Sequence, residues 1–271
     1  MINPTLLESY TQDGFAIARG LFSSEEVEEL KAHFQKMHAA RQDHLDARLT
    51  ADEPLAKFPR LMQPHHHDQT AREWLLNSRL DACLTTLLGA SPFAVQTMYY
   101  FKPPMARGQA LHQDQFYLQV QPGTCMAAWM AIDPCDEENG CLQVVPGTHL
   151  LPTLCTKSAN LDESFADDTV DLPEGMEPVP VVMEPGDVLF FNGQLVHGSF
   201  PNSSETRFRR SLIGHYIVAE AEKVANWYNP VLNMDGSAVD IEFIERGGPC
   251  GVWVDRDGTP VAELTGTETR V

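Results

Sequence analysis

The feature that most constrains this chain is a change of hydrophobic period near residue 92. Before it, apolar residues recur at helical spacing; after it, they fall in short extended runs. The stretch "LFSSEEVEELKAHFQKMHAA" offers Ser23 as an N-cap with Glu26 three residues on, then Val27, Leu30 and Phe34 on one face. That pattern predicts a helix near residues 24–40. A second stripe, Trp74, Leu75, Leu80, Leu84, Leu87 and Leu88 in "TAREWLLNSRLDACLTTLLG", stops at Gly89. Between the two lies "LMQPHHHDQ", a Pro-containing loop. Its adjacent histidines His65, His66 and His67 diverge as loop side chains do, and no further ligand stands at metal-binding spacing, so a solvated or pocket-rim segment is expected.

From residue 92 onward, "FAVQTMYYF", "QALHQDQFYLQV", "CMAAWMAI", "CLQVVPG", "VPVVME", "DVLFFNG" and "RRSLIGHYIV" are β-rich runs separated by Gly, Pro, Asn and Asp. So many strands without intervening helices predict a mainly β protein with flanking helices, its core an antiparallel sandwich or barrel. In "EPGDVLFF", Pro185 presets φ and Gly186 is free to take positive φ, which fits a tight reversal. The polar insertion "CTKSANLDESFADDTVDLPEGMEP" reads as a solvated loop, with a substrate lid as the alternative. One domain is expected over residues 1–271: a mainly helical part to 91, a β core over 92–220 and an extension over 221–271. The tail "GGPCGVWVDRDGTPVAELTGTETRV" fits either a hairpin or a cover over the barrel mouth.

Charge narrows the partners. Acidic residues number 38 against 19 Lys and Arg, a formal charge of -19 that repels phosphate backbones and anionic lipid surfaces. Nucleic acid and membrane are excluded as expected partners, which leaves a small-molecule substrate. "MINPTLLESYTQDGF" has no basic segment followed by an apolar run, and no stretch reaches roughly 18 consecutive apolar residues, so a cytoplasmic protein is expected. The six cysteines form no CxxC pair and are too sparse for a disulfide scaffold, so they read as reduced thiols.

The chemistry begins at "LHQDQFYLQ", residues 111–119. Iron that must bind oxygen keeps few protein ligands, and two imidazoles with one carboxylate on one face are diagnostic of non-haem iron oxygenases. On a strand, residues i and i+2 share a face, so His112 and Asp114 can aim at one interior point. The missing imidazole has several candidates: His197 in "NGQLVHGSFPN" is the best placed, while His215, His149 and the 65–67 cluster compete. Downstream, "HGSFPNSSETRFRRSLIGHY" puts Arg207, Arg209 and Arg210 at the start of a strand. An arginine turned into the barrel suits an anionic ligand that takes two parallel hydrogen bonds; an edge arginine paired with a surface acid is the bland alternative.

Taken together, "HQD" at 112–114, "ENGCLQVVPGTH" at 138–149, "PGD" at 185–187 and "HGSFPNSSETRFRR" at 197–210 resemble the phytanoyl-CoA dioxygenase family of iron(II)- and 2-oxoglutarate-dependent oxygenases. The start "DGFAIARGLFSSEEVEEL" is similar too, and the resemblance covers roughly residues 8–220. It implies a double-stranded β-helix, with Fe(II), 2-oxoglutarate and O2 as cofactor and co-substrates. It implies His112, Asp114 and His197 as iron ligands, and Gln113, Ser199, Trp129 and Lys102 as residues near the 2-oxoglutarate. The family's co-substrate arginine falls where this chain has Phe208, so a loop one residue longer would give that role to Arg209, with Arg210 as rival and Arg207 at the surface.

The retained carboxylate at Asp114 implies hydroxylation over halogenation, because related halogenases carry a small residue there. The expected reaction turns 2-oxoglutarate into succinate and carbon dioxide while hydroxylating an unactivated C–H bond of a metabolite. Desaturation, epimerisation or cyclisation with the same cofactors is the alternative outcome, and a metal-holding cupin-like module without turnover is the alternative class. His215, in phase with Arg209, is expected as a donor behind the ligands and His149 as structural. Tyr99, Tyr100, Phe101, Phe116 and Tyr117 are candidates for core or pocket lining, and Trp227 and Tyr228 for the barrel mouth.

Overall fold

The computed structural model of the chain describes residues 4–40, 53–245 and 248–268. Its first third is helical where the period is helical. Ser24–Ala39 is a helix opened by a capping box: the Ser23 side chain accepts from the Glu26 amide and the Glu26 carboxylate accepts from the Ser23 amide. It buries Val27 and Phe34. The second apolar stripe is divided into two helices, Gln69–Leu75 and Ser78–Leu88. Asn77 breaks it, because its side chain accepts from the Arg79 amide and so starts a new helix. Gly89, at φ +79°, ends that helix as expected.

Two antiparallel sheets make the core, which is the double-stranded β-helix expected of the sequence. The larger sheet runs, in spatial order, Phe15–Ala18, Val188–Asn192, Cys125–Ala131, Ser211–Ile217, Phe93–Tyr100 and Leu61–Met62. The smaller runs Gln109–His112, His197–Ser199, Leu142–Val144 and Val179–Val181. The central strand Cys125–Ala131 is buried at every residue, and strand geometry sorts its side chains to two cores. Met126, Ala128 and Met130 pack under the helices with Phe34, Trp74 and Tyr216, whereas Ala127, Trp129 and Ala131 face the gap between the sheets with Leu142, Val144 and Phe191. Helices covering one face and a second sheet covering the other explain why "CMAAWMA" is a continuous apolar run rather than an alternating one.

Beyond the barrel, Pro249–Arg256 and Thr259–Glu268 pair as a hairpin, so the tail takes the hairpin form. Its attachment corrects the reading of six thiols: Cys155 and Cys250 form a disulfide, while Cys83, Cys125, Cys135 and Cys141 are free and buried. The two partners lie 95 residues apart in sequence, a separation at which spacing gives no pairing signal. The bond joins the hairpin to the start of the polar insertion, where the Cys155 amide also donates to the Gly251 carbonyl at 2.9 Å. The "PHHH" loop is corrected at one residue: Pro64–His66 is a 3-10 turn in which His65 is 2% exposed and its Nδ1 meets Thr97 Oγ1 at 2.8 Å, while His66 and His67 are exposed as expected.

Candidate active site

The neighbouring strands Gln109–His112 and His197–Ser199 place His112 directly opposite His197. Their ring centroids are 4.2 Å apart. His112 Nδ1 lies 2.9 Å from the Ala110 carbonyl and His197 Nδ1 3.0 Å from the Leu195 carbonyl. A carbonyl only accepts, so each Nδ1 carries the proton and each Nε2 keeps its lone pair.

Asp114 reaches the same point by a different route from the one the i, i+2 rule gives. The strand ends at His112, and Asp114 sits in helical backbone at the N-terminus of the short helix Gln115–Leu118. Its Oδ1 lies 3.6 Å from His112 Nε2 and 3.7 Å from His197 Nε2, beyond direct hydrogen bonding, and the three ligand atoms all fall within 4.8 Å of one another. Two imidazole lone pairs and one carboxylate oxygen converging on a gap is a donor set that fits divalent iron.

His215, from the strand Ser211–Ile217, holds the other carboxylate oxygen: its Nε2 donates to Asp114 Oδ2 at 3.0 Å. Burial pushes the Asp114 carboxyl up, but the imidazoles of His197 and His215 beside it and the hydrogen bond from His215 prevail and hold it well below the usual carboxylate range. Burial and the neighbouring His112 pull His197 down to about 4, so it is neutral near pH 7, the form a metal requires.

Arg209 precedes that strand and is 3% exposed. Its Nε donates to the Gly140 carbonyl and its Nη1 to Ser211 Oγ, each at 3.0 Å, and its guanidinium lies over the Trp129 ring at 5.2 Å. Among the described residues no carboxylate is within ion-pair distance of it. Its neighbours differ. Arg207 is paired with Asp136 and Glu138 at 2.7 Å, and Arg210 with Asp133 at 2.9 Å. Arg209 is therefore the arginine of the run that brings an uncompensated charge into the cavity, and burial lowers its pKa.

Behind it Lys102, fully buried, donates to Ser199 Oγ at 2.8 Å, to the Gly140 carbonyl at 3.2 Å and to the Phe200 carbonyl. Burial, then the Arg209 charge, pushes its ammonium well below the ordinary lysine value. Lys102 thus touches the site through Ser199 and Gly140 rather than directly.

His112, Asp114, His197, Ser199, Arg209 and Trp129 line one cavity of about 460 Å³. Gln113 is absent from it, which corrects its expected place beside the co-substrate. Its amide donates to the Gln194 carbonyl at 2.7 Å and to the Pro152 carbonyl at 3.2 Å, and its oxygen accepts from the Leu154 amide at 2.7 Å. Both ends of its amide tie loops together. Tyr100, Tyr117, Trp227 and Tyr228 do line the cavity, whereas Tyr99 stacks on Phe34 in the core.

Sequence reasoning missed Gln109, whose Nε2 lies 3.1 Å from His112 Nε2. The pairing of His197 with His112 and of Ser199 with Gln109 skips one residue, a bulge that turns Gln109 to the ligand side against the alternation rule. It also missed Phe165, which the polar insertion places on the cavity wall, so that insertion does reach the site.

Fold and site together define the class of non-haem iron, 2-oxoglutarate-dependent oxygenases. A family model described as phytanoyl-CoA dioxygenase (PhyH) matches residues 10–211, and the chain belongs to that family. It is 29% identical over 58% of its length to phytanoyl-CoA dioxygenase 1 of Oryza sativa subsp. japonica, of which it spans 56%. To the peroxisomal phytanoyl-CoA dioxygenase of Bos taurus it is 26% identical over 86% of its length, spanning 73% of that protein. Among solved structures, the epimerase SnoN in complex with Fe3+, alpha ketoglutarate and nogalamycin RO superposes with a TM-score of 0.65 at 22% identity, covering 80% of this chain and 84% of that one.

Proposed function

We propose that the chain, acting as one domain, hydroxylates an unactivated C–H bond of a small-molecule metabolite with Fe(II), 2-oxoglutarate and O2, releasing succinate and carbon dioxide. The observation that carries this reading is the convergence of His112, Asp114 and His197 in the same cavity as a buried arginine that lacks a counter-ion among the described residues. His112 Nε2, Asp114 Oδ1 and His197 Nε2 would hold the iron, which together with 2-oxoglutarate supplies the oxidising chemistry when bound.

Every other part is played by side chains of this chain. Arg209 offers the unused edge of its guanidinium to the far carboxylate of 2-oxoglutarate, its plane fixed by Trp129, Ser211 and the Gly140 carbonyl. Ser199, fixed by Lys102, stands on the same wall as a hydroxyl partner for that carboxylate. His215 fixes the rotation of the Asp114 carboxylate and leaves Oδ1 free to act as a ligand. Trp227, Tyr228 and Phe165 line the cavity with aromatic surface and limit water once substrate is seated.

The test is succinate formation from 2-oxoglutarate by purified protein with and without ferrous iron, followed by mass analysis of products from a metabolite panel. Iron-dependent succinate with a product heavier by one oxygen is expected. No succinate under iron-replete conditions would end the reading in favour of a metal-holding module, and an isomeric or dehydrogenated product would replace hydroxylation by epimerisation, cyclisation or desaturation.

A further inference from the structure

The cavity that holds the ligand cluster adjoins a second of about 260 Å³, and both are bordered by Arg60, Tyr100, Phe165 and Asp167. Four cations line the pair among the described residues, and three are already engaged. Lys102 is bound to Ser199 and carbonyl oxygens, Arg107 pairs with Glu53 at 3.0 Å, and Arg209 belongs to the co-substrate in the reading above. Arg60 is different. Its Nη1 donates to the Tyr100 hydroxyl at 3.1 Å, and its guanidinium carbon lies 5.4 Å from the Tyr100 ring centroid and 5.1 Å from that of Phe165. Among the described residues no carboxylate lies within ion-pair distance of it. A planar fork packed against two aromatic rings, half-buried and facing a cavity, is preorganised for bidentate binding of a carboxylate.

We propose that Arg60 receives a carboxylate of the substrate, and that the substrate is therefore a free carboxylic acid of metabolite size rather than a coenzyme A thioester. What happens to that acid rests on the reading given above. Two observations separate the acid from the thioester. A thioester carbonyl is neutral and would leave the stacked guanidinium without a counter-ion. Asp167 and Asp168 border the same cavity, so one carboxylate can settle on Arg60 whereas a polyphosphate meets both acids on a chain of net charge -19. Leu55, Phe58, Phe101 and Leu161 line the second cavity and give the acid an apolar body to match.

The test uses 3-phenylpropanoate, 3-phenylpropanamide and 3-phenylpropanoyl-coenzyme A as calorimetric probes. They are titrated anaerobically into iron-loaded protein saturated with 2-oxoglutarate and, in parallel, into metal-free protein. The acid is expected to bind at least about tenfold more tightly than the amide or the thioester, and Arg60→Met to remove that advantage. Arg60→Lys keeps the charge without the fork and should weaken the acid several-fold while leaving the amide unmoved; should Arg60→Met fail to fold, that contrast decides. Equal affinity for acid and amide, preference for the thioester, an acid affinity unmoved in folded Arg60→Met, or no binding at millimolar acid each overturns the proposal. Succinate formation by the wild-type preparation reports separately on the enzyme reading. Its failure alongside Arg60-dependent acid binding on metal-free protein would sink that reading and leave the role of Arg60 standing.

Discussion

The inner wall of the cavity and its outer rim are built on different principles. On the wall, His112, His197, His215 and Arg209 come from strands or strand ends, are each at most 5% exposed, and are held by hydrogen bonds to backbone carbonyls or, for His215, to Asp114. On the rim, Arg60, Asp167 and Asp168 carry charges without ion-pair partners among the described residues, on a short edge strand's approach and on an insertion. The wall holds its side chains by burial and hydrogen bonds, the kind of preorganisation that metal binding and co-substrate orientation require. The rim leaves charge uncommitted, and loops of this kind are where binding specificity varies on a fixed scaffold.

Substitutions on the wall should give the largest effects. Asp114→Ala removes a ligand oxygen and is expected to abolish both stoichiometric iron binding and succinate formation, read by metal analysis and by product assay. Turnover like wild type in that variant would break the contrast outright. Arg209→Ala should raise the 2-oxoglutarate requirement on the order of 100-fold, since a buried charge pair with one partner removed costs several kcal/mol, with iron binding retained. His215→Asn leaves the ligands in place but frees the Asp114 carboxylate to rotate, and about 10- to 100-fold weaker iron binding is expected by titration.

Smaller effects test parts outside the wall. Burial, then the neighbouring His66, Arg72 and His67 charges, pulls His65 down to about 3. Its folded pKa lies below its unfolded value, so the stability that depends on neutral His65 is complete above about pH 6.5 and is lost as pH falls toward 3. Unfolding at stepped pH should therefore show a slope approaching about 1.4 kcal/mol per pH unit that His65→Gln reduces. Finally, reducing the Cys155–Cys250 disulfide should make the hairpin of residues 249–268 more open to proteolysis while iron binding on the wall stays unchanged. Loss of iron binding on reduction would show that the rim and wall are coupled.

Much of the wall was legible along the chain. The "HQD" and "HGSF" stretches carry the two clustered histidines and the carboxylate, and the arginine run contains the cation that has no ion-pair partner among the described residues. What was hidden follows from geometry that spacing does not encode. Gln109 turns inward only because a bulge skips a residue, and Gln113 turns away because three backbone groups of two loops claim its amide. Arg60 and Phe165 are separated by more than a hundred residues in sequence and meet only across the opening.

The sequence by itself determined the element types, because period, caps and turn residues act over a few neighbours: the capping box at Ser23, the stop at Gly89 and the strand runs after residue 92 are local facts. Only the tertiary structure decided which of the three arginines at 207, 209 and 210 faces the cavity, which cysteines join, and which charges stay free. Those outcomes depend on the partners that distant strands and loops bring within hydrogen-bonding reach, and burial makes each pairing, or its absence, energetically decisive.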